Sequence, residues 1–315
     1  MTDEQTNSSE QLLLLPGTLW SRAVAVTNSA RQLGKLKSIE TDLHILEQQD
    51  ISFVVRSLTN ILRKEEAKSQ QIKKSKQAGQ YFDPFLPYEV DLFVGDISAT
   101  HLCLLNKFNV VDHHLLLVTR NFEEQENLLN LNDFVALGSC LREVDGLAFF
   151  NGGSAAGASQ RHKHLQILPF PFLPDQDFLP GLPLPISKAI AKIQFDNGLG
   201  KLACFPFHHA IAQLDFLTWS DPIVAGQAML DWYYSLLKQV GLTPNSHTSK
   251  QPGAYNLLVT REWMMLIPRS QESAHGISIN SLGFVGSLFV KNQASLNLIK
   301  EIGPLGLLRE VAVTL

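Results

Sequence analysis

The fold is decided by residues 150–168, which read FNGGSAAGASQRHKHLQIL. The first half is a loop of small residues, and such a loop lets backbone N–H groups approach an anion closely. The second half carries branched residues at even spacing, which predicts a strand. Because side chains alternate along a strand, His162, His164 and Gln166 share one face. Leu165 then points the other way, into a core. Two imidazoles and an amide therefore line up beside a loop that can hold phosphate.

This pairing of loop and strand suits nucleophilic chemistry at phosphorus. A neutral imidazole is a good nucleophile, and its attack gives a covalent phosphoramidate. The loop amides would stabilise the oxygens that gain charge in the transition state. A histidine in a strand is more often a packed or surface residue, and a glycine-rich loop alone is weak evidence. The two features in this order, so close together, favour the catalytic interpretation.

The end of the stretch also resembles a known signature. Residues 159–166, Ser-Gln-Arg-His-Lys-His-Leu-Gln, resemble the motif of the ATP adenylyltransferases, also called diadenosine tetraphosphate phosphorylases. They are a branch of the histidine-triad (HIT-like) superfamily, in which the middle histidine is the nucleophile and the transferase branches carry Gln at the third position. The resemblance implies that His164 is the nucleophile and that His162 supports the site. It implies that Gln166 binds the α-phosphate without acting as a base.

The resemblance covers most of the chain, from about residue 51 to residue 291. It implies that a set of residues on loops and strand ends binds the substrate: Lys64, Asn106, Lys107, Asn151, Gly157, Ala158, Ser159, Gln160, Asn280, Ser281, Leu282 and Lys291. Residues 280–291 are predicted to be a second small-residue loop entering a helix, with Lys291 several residues inside it as a phosphate hook. Two positions depart from the pattern: Arg161 stands where members often carry Asp, and Ser287 where some carry Met.

Composition limits the classes of protein that fit. The chain has 315 residues, 45% of them hydrophobic, a net charge of −4 and a pI of about 6.2. This predicts a globular protein and argues against a general nucleic-acid or membrane-surface binder. Three scattered cysteines give neither a disulfide framework nor a structural zinc site, so no resident metal is expected. No signal-peptide core or transmembrane run is present, and we expect a cytoplasmic protein.

The segment pattern predicts an α+β fold: a HIT-like antiparallel sheet with flanking helices, then a C-terminal domain that completes the cleft. A hairpin is predicted over residues 39–56 and another over residues 255–268. One helix should be capped by Asn132-Asp133 and run to Glu143, and another should run from Asp221-Pro222 to Gly241. A proline-rich span after Leu168 places the domain boundary near residue 185, which gives domains of residues 1–185 and 186–315.

The resemblance implies reversible phosphorolysis of diadenosine tetraphosphate to ATP and ADP through an adenylyl-histidine. The substrates would be nucleotides and phosphate, and a divalent cation, expected to be Mg²⁺, would accompany the nucleotide. Because the chain is acidic, local cations must meet the phosphates. Three alternatives stay open at this point: a uridylyltransferase acting on sugar phosphates, a dinucleoside polyphosphate hydrolase, and a dinucleotide sensor without catalysis.

Overall fold

The computed structural model describes residues 11–58, 82–171, 181–215 and 219–315. The predicted phosphate contact Lys64 lies outside these ranges. The strands are β1 (Thr41–Gln48), β2 (Ile51–Leu58), β3 (Phe93–Asp96), β4 (His101–Leu105), β5 (Leu115–Thr119), β6 (Gly146–Gly152), β7 (His164–Pro169), β8 (Leu199–Gly200), β9 (Ala210–Gln213), β10 (Tyr255–Val259), β11 (Trp263–Pro268), β12 (Ser273–Ala274), β13 (Ile277–Ser278) and β14 (Ser287–Val290). The α-helices are α1 (Leu19–Gln32), α2 (Leu131–Glu143), α3 (Ser187–Ile190), α4 (Pro222–Gln239), α5 (Gln293–Ile302) and α6 (Pro304–Val311).

Within the described ranges, nine strands form one antiparallel sheet in the order β3-β4-β5-β7-β6-β10-β11-β9-β8. A separate sheet has the order β1-β2-β14, with β2 antiparallel to β1 and parallel to β14. The expected α+β fold with a large antiparallel sheet is confirmed. Strands from both sides of residue 185 share the large sheet, because β6 pairs with β10. The division into two domains at that residue stays a prediction.

Both predicted hairpins form. The first is β1–β2, where Gln49 and Asp50 adopt positive φ values of 52° and 63° and close a two-residue turn. Such a turn matches the twist of the two strands that it joins. The second is β10–β11, with Tyr255 opposite Pro268.

Capping explains where the two long helices begin. Asp221 Oδ1 accepts hydrogen bonds from the N–H groups of Ile223 (2.8 Å) and Val224 (3.4 Å), so α4 starts as predicted. The cap expected at Asn132-Asp133 for α2 is wrong by two residues. Asn130 is the cap, and Asp133 Oδ2 accepts a hydrogen bond from the Asn130 N–H at 2.7 Å. Only a cap at Asn130 places an acidic residue three positions on, which is what a capping box requires.

The large sheet buries apolar side chains on both faces. One face packs against α1, α2 and α4 and includes Leu165 and Ile167 of β7, as expected from the alternation. The other face packs against the small sheet, α5 and α6, and includes Phe149 of β6. His164 and Gln166 alternate with the first pair, so they lie on the second face. No helix in the described part of the chain is long and apolar enough to cross a membrane.

The predicted helix around Lys291 is wrong. Residues 281–285 form a short 3₁₀ helix, and the apolar run that follows is strand β14, paired with β2. Helix α5 begins only after Asn292, whose Oδ1 accepts the N–H of Ser295 at 2.9 Å. Lys291 is therefore an exposed residue between strand and helix. The four-residue run is too short for its period to separate a strand from a helix.

Candidate active site

Three neighbouring strands bring His164, Asn151 and Asn256 into one row across the sheet. Asn256 of β10 stands opposite Asn151 of β6, and the register of β6 on β7 continues to place Asn151 opposite His164. At that point the Gln125 side chain replaces the backbone ladder. Its Nε2 donates to the carbonyl oxygens of Asn151 (3.0 Å) and His164 (3.2 Å), and its Oε1 accepts the His164 N–H at 2.8 Å. These three hydrogen bonds of Gln125 satisfy the backbone groups of Asn151 and His164 where the two strands separate next to the loop.

His164 is held in the tautomer that a nucleophile needs. Its Nδ1 lies 2.8 Å from the carbonyl oxygen of His162. A carbonyl can only accept, so Nδ1 carries the proton and Nε2 keeps its lone pair. Burial lowers the pKa of His164 to about 4, and the charge of His162 adds to that effect. No described residue hydrogen-bonds Nε2. The ring is thus neutral near pH 7, with its basic nitrogen available.

His162 is wholly buried and fixed at both nitrogens. Nδ1 lies 2.8 Å from Asp83 Oδ2, and Nε2 lies 2.8 Å from the carbonyl oxygen of Thr119. The ring of Phe85 packs against both histidines, with centroid distances of 5.7 Å to His162 and 5.2 Å to His164. These contacts fix the position of the His162 carbonyl that anchors the nucleophile. The expectation that His162 supports the site agrees with this placement, although its role stays a prediction.

Gln166 is oriented by a residue that the sequence pattern did not single out. His114 Nε2 lies 3.0 Å from Gln166 Oε1, and His114 Nδ1 lies 3.3 Å from Asn106 Nδ2. Asn106 Oδ1 accepts the N–H of Phe108 at 3.0 Å, so its amide turns the NH₂ group toward His114. His114 must then accept at Nδ1 and donate from Nε2, which leaves the NH₂ of Gln166 as a donor. Burial lowers the pKa of His114 to about 4, so it stays neutral.

The small-residue loop folds as a tight cradle. Gly153 and Gly157 adopt φ values of +90° and +87°, which side chains rarely allow. A Cβ on Gly157 would lie 2.8 Å from the carbonyl oxygen of Ile279, so the loop also touches the segment that carries Asn280. Among the described residues, no acceptor is paired with the backbone N–H groups of Ser159 and Gln160. These two amides are therefore available to an anion, whereas the Ala158 N–H already bonds to the Gly153 carbonyl oxygen at 3.2 Å.

The segment at residues 280–282 meets the loop through a buried network. Asn151 Oδ1 accepts the Ser281 hydroxyl at 2.7 Å and the Ser281 N–H at 3.0 Å. Asn280 caps the 3₁₀ helix by accepting the Leu282 N–H at 3.0 Å. Ser281 is completely buried, and its hydroxyl is engaged inside the protein. The structure therefore brings residues 280–282 against Asn151, while direct contact of each with substrate stays a prediction.

The predicted lysines are not assembled in the same way. Lys107 Nζ donates to Glu89 Oε1 at 2.6 Å, and both side chains are partly exposed. Lys291 follows β14 on the surface. No described contact joins either lysine to His164. Arg161, the departure from the family pattern, pairs with Glu124 on the surface, whereas Ser287 is buried in β14.

Lys163 lies between the two histidines and points to the opposite face of the sheet. Its fully buried ammonium donates to Asp133 Oδ2 at 2.6 Å and to Glu123 Oε2 at 3.1 Å, and Asp133 Oδ1 lies 3.1 Å from His101 Nε2. Burial by itself would raise the pKa of Asp133, but the His101 and Lys163 contacts hold it below its ordinary value. The cluster ties the start of the nucleophile strand to helix α2.

Sequence reasoning missed Asp83, His114, Gln125, Lys163, Asn256 and Arg269. One of them carried a readable signal: alternation sends Lys163 into a core, where a charge requires a partner. No group of three or more His, Cys, Asp or Glu side chains in the described ranges is arranged to hold a metal ion.

Comparison with known proteins fits this geometry. The profile of the Ap4A phosphorylase N-terminal domain matches residues 9–192, and that of the ATP adenylyltransferase C-terminal domain matches residues 203–314. Diadenosine 5',5'''-P1,P4-tetraphosphate phosphorylase 2 of Saccharomyces cerevisiae is 30% identical over 244 residues, which cover 70% of this chain and 72% of the relative. The protein APA1 of the same yeast is 28% identical over 87% of each chain. The crystal structure of yeast Ap4A phosphorylase Apa2 in complex with Ap4A shares the fold, with a TM-score of 0.72, 24% identity, and coverage of 96% of this chain and 99% of that one.

Proposed function

The chain belongs to the Ap4A phosphorylase family of ATP adenylyltransferases, and we propose that it cleaves diadenosine tetraphosphate (Ap4A) with phosphate through an adenylyl group carried on His164. One observation carries the choice of nucleophile. The Nδ1 proton of His164 is bound by the His162 carbonyl, so Nε2 keeps its lone pair. The family membership supplies the substrate class, and this geometry supplies the attacking atom.

In the first half-reaction, Nε2 of His164 attacks the α-phosphorus of one adenosine. A P–N bond forms and the bond from that phosphorus to the bridging oxygen breaks, so ATP leaves with the electron pair. The ring becomes cationic while its Nδ1–H stays bonded to the His162 carbonyl, which stabilises the charge. Burial keeps the free ring neutral, and the neutral form is the one that attacks.

In the second half-reaction, an oxygen of inorganic phosphate attacks the same phosphorus. The P–N bond breaks, the electron pair returns to Nε2, and ADP is released. Each step runs backwards with the same atoms, so ATP and ADP should also give Ap4A and phosphate. Phosphate is already an anion near neutral pH, and it needs no general base to attack.

Donors line the position where the α-phosphate would sit. No described residue accepts a hydrogen bond from the N–H groups of Ser159 and Gln160 or from the NH₂ of Gln166, and these donors are proposed to bind the α-phosphate. Such prearranged donors stabilise the charge that develops on the phosphoryl oxygens. Lys107 and Lys291 are proposed to meet the distal phosphates. Any Mg²⁺ is proposed to arrive with the nucleotide, because no described carboxylate cluster offers it a protein site.

The test is intact mass spectrometry after mixing the protein with Ap4A in phosphate-free buffer. We expect a gain of one adenylyl group, mapped to His164, with release of one ATP. Phosphate added afterwards should discharge the adduct as ADP. His164→Ala should give neither adduct nor turnover, and His247→Ala, at an exposed loop histidine, is the matched control. Normal turnover in His164→Ala, or an adduct on another residue, would refute the proposal.

A further inference from the structure

A network of side-chain hydrogen bonds reaches the site from the C-terminal part of the protein. Arg269 Nη1 donates to Asn256 Oδ1 at 2.6 Å. Asn256 Nδ2 in turn lies 2.9 Å from Asn151 Oδ1 and 2.9 Å from the carbonyl oxygen of Ala156 in the loop. Arg269, Asn256 and Asn151 are each at most 5% exposed. The contacts run from the residue that follows β11 through β10 to Asn151 of β6.

The hydrogen bonds in this chain permit only one orientation of each amide. A guanidinium only donates, so the Asn256 atom that faces Arg269 must be the oxygen. The Ala156 carbonyl only accepts, so the atom that faces it must be the Asn256 nitrogen. Asn151 is then offered a donor by Asn256, and a second by the backbone N–H of Ser281 at 3.0 Å. Its Oδ1 must face inward to accept both.

Because Asn151 Oδ1 faces Asn256 and Ser281, the NH₂ group of Asn151 points away from these two residues. No described residue accepts a hydrogen bond from Asn151 Nδ2. Extending the β6–β7 register by two residues places Asn151 across from His164, with the Gln125 side chain between the two backbones, so this NH₂ belongs to the same face of the sheet as the His164 ring. An oxygen presented there would repel the nucleotide, whereas an NH₂ can donate to a phosphate or ribose oxygen.

From this we infer that Arg269 and Asn256 are positioning residues, which fix the Asn151 amide so that it donates to the nucleotide during transfer to His164. The inference rests on the proposed function. Arg269 is itself held by the carbonyl oxygens of Val311 (3.0 Å), Gln271 (2.7 Å) and Glu272 (3.2 Å). The end of helix α6 and the segment after β11 thereby set the orientation of an amide in the active site.

Two substitutions at Asn256 separate orientation from packing. Asn256→Asp keeps the shape and pairs with Arg269, but it presents a carboxylate oxygen to Asn151 Oδ1. Asn256→Ala leaves a cavity, yet the Ser281 N–H still holds Asn151 in its orientation. We expect Asn256→Asp to slow single-turnover adenylylation of His164 by about 10- to 100-fold, which is the range of one lost hydrogen bond to a charged group. Asn256→Ala should slow it by less than about threefold, because the Ser281 N–H and hydroxyl still donate to Asn151 Oδ1 and preserve the orientation of the amide.

A double-mutant cycle supplies the readout that a purely structural role would not move. If Asn256 acts through Asn151, Asn256→Asp should cost nothing further in an Asn151→Ala background. Asn297→Asp, on the exposed face of α5, is the control for the added charge. If Asn256→Asp does not fold, Arg269→Lys takes its place in the cycle, since a lysine cannot replace all the guanidinium bonds.

Additive losses of Asn256→Asp and Asn151→Ala would overturn the inference, as would Asn256→Ala being the slower of the two Asn256 variants. If the wild-type protein forms the adduct and the variants give either of these results, the proposed function stays intact and only this inference fails. Wild-type protein that forms no adduct would remove the proposed function, and this inference with it.

Discussion

Lowering the pH tests the surroundings of His164, because only the neutral ring can attack. An exposed histidine has a pKa of about 6.5. Here burial lowers the pKa of His164 to about 4, with the charge of His162 acting in the same direction and Asp83 opposing it. His114 is the other titratable neighbour, and burial lowers its pKa to about 4 as well. We therefore expect the acid limb of adenylyl transfer far below the ordinary range of histidine.

The size of the difference follows from the fraction of neutral ring. At pH 5.5 a histidine with a pKa of 6.5 is only about 9% neutral, so its rate would have fallen about tenfold from the value at high pH. With a pKa of about 4, about 97% of the ring is neutral at the same pH. The two cases thus differ by about a factor of ten at pH 5.5, well outside the error of a rate measurement.

The assay is the second-order rate constant for the single turnover that releases ATP from Ap4A in the absence of phosphate, between pH 5 and 8, since this constant reports the ionisation of free protein and free substrate. Ap4A has no terminal phosphate, so its own charge is nearly constant over this range. The acceptor phosphate, which does titrate near neutrality, is left out. A limb centred near pH 6.5, with near-UV circular dichroism unchanged, would show that His164 is not held neutral and would refute the reasoning.

Stability must be followed in the same experiment. The folded-state pKa values of His114, His164 and His209 are all lowered by burial to about 4, against about 6.5 in the unfolded chain. Between these values the unfolded state binds more protons than the folded state. The stabilisation is therefore complete above about pH 6.5 and is lost progressively as the pH falls toward 4. Urea midpoints should fall over that window, and a midpoint that is constant from pH 7 to 4.5 would contradict the assignment.

Three further changes have expected outcomes. Glu89→Gln should release Lys107 and strengthen the binding of Ap4A more than that of AMP, by no more than about fivefold because the pair is partly exposed. Calorimetric titration of both nucleotides measures the two affinities, and Lys107→Ala is the opposite change. Lys163→Met should lower the free energy of unfolding by about 3–5 kcal/mol in urea, because Asp133 loses its main buried partner, and a loss below 1 kcal/mol would exclude that role. Gln166→His should raise the ratio of AMP to ADP formed at fixed phosphate, since an imidazole can align water as a base; an unchanged ratio with the adduct still forming would mean that this residue does not select the acceptor.

The nucleophile strand and the loop before it could be predicted because both signals are local. Alternation assigns His164 and Gln166 to one face without knowledge of any other strand. Helix α4 was equally readable, since its cap, its first-turn proline and its final glycine are adjacent to the segment they bound. The position of Lys291 could not be read in the same way. The four residues of β14, three of them apolar, fit a strand or a helix, and pairing with β2 makes the choice.

The residues that orient the site were missed for a different reason. His114 is 52 positions from Gln166, Asp83 is 79 from His162, and Asn256 is 105 from Asn151. Each partnership depends on which strands become neighbours, and a single sequence does not specify the strand order of a large sheet. The motif that singles out His164 is therefore a local property of the chain, whereas the tautomer of His164 and the directions of the nearby amides are properties of the assembled sheet.

The choice of acceptor can be argued from those directions. Water needs a base to attack an adenylyl-histidine, whereas phosphate does not. Both nitrogens of His162 face acceptors, at Asp83 and Thr119. His114 has Nδ1 facing the Asn106 amide, Nε2 facing Gln166, and a pKa lowered to about 4, so it is a poor base as well. Asp83 is already engaged by His162 and by the Phe85 N–H at 2.9 Å. None of these three side chains, His162, His114 and Asp83, therefore has a basic atom free to deprotonate water. We infer that the adenylyl group proposed on His164 is transferred to an acceptor that is already an anion.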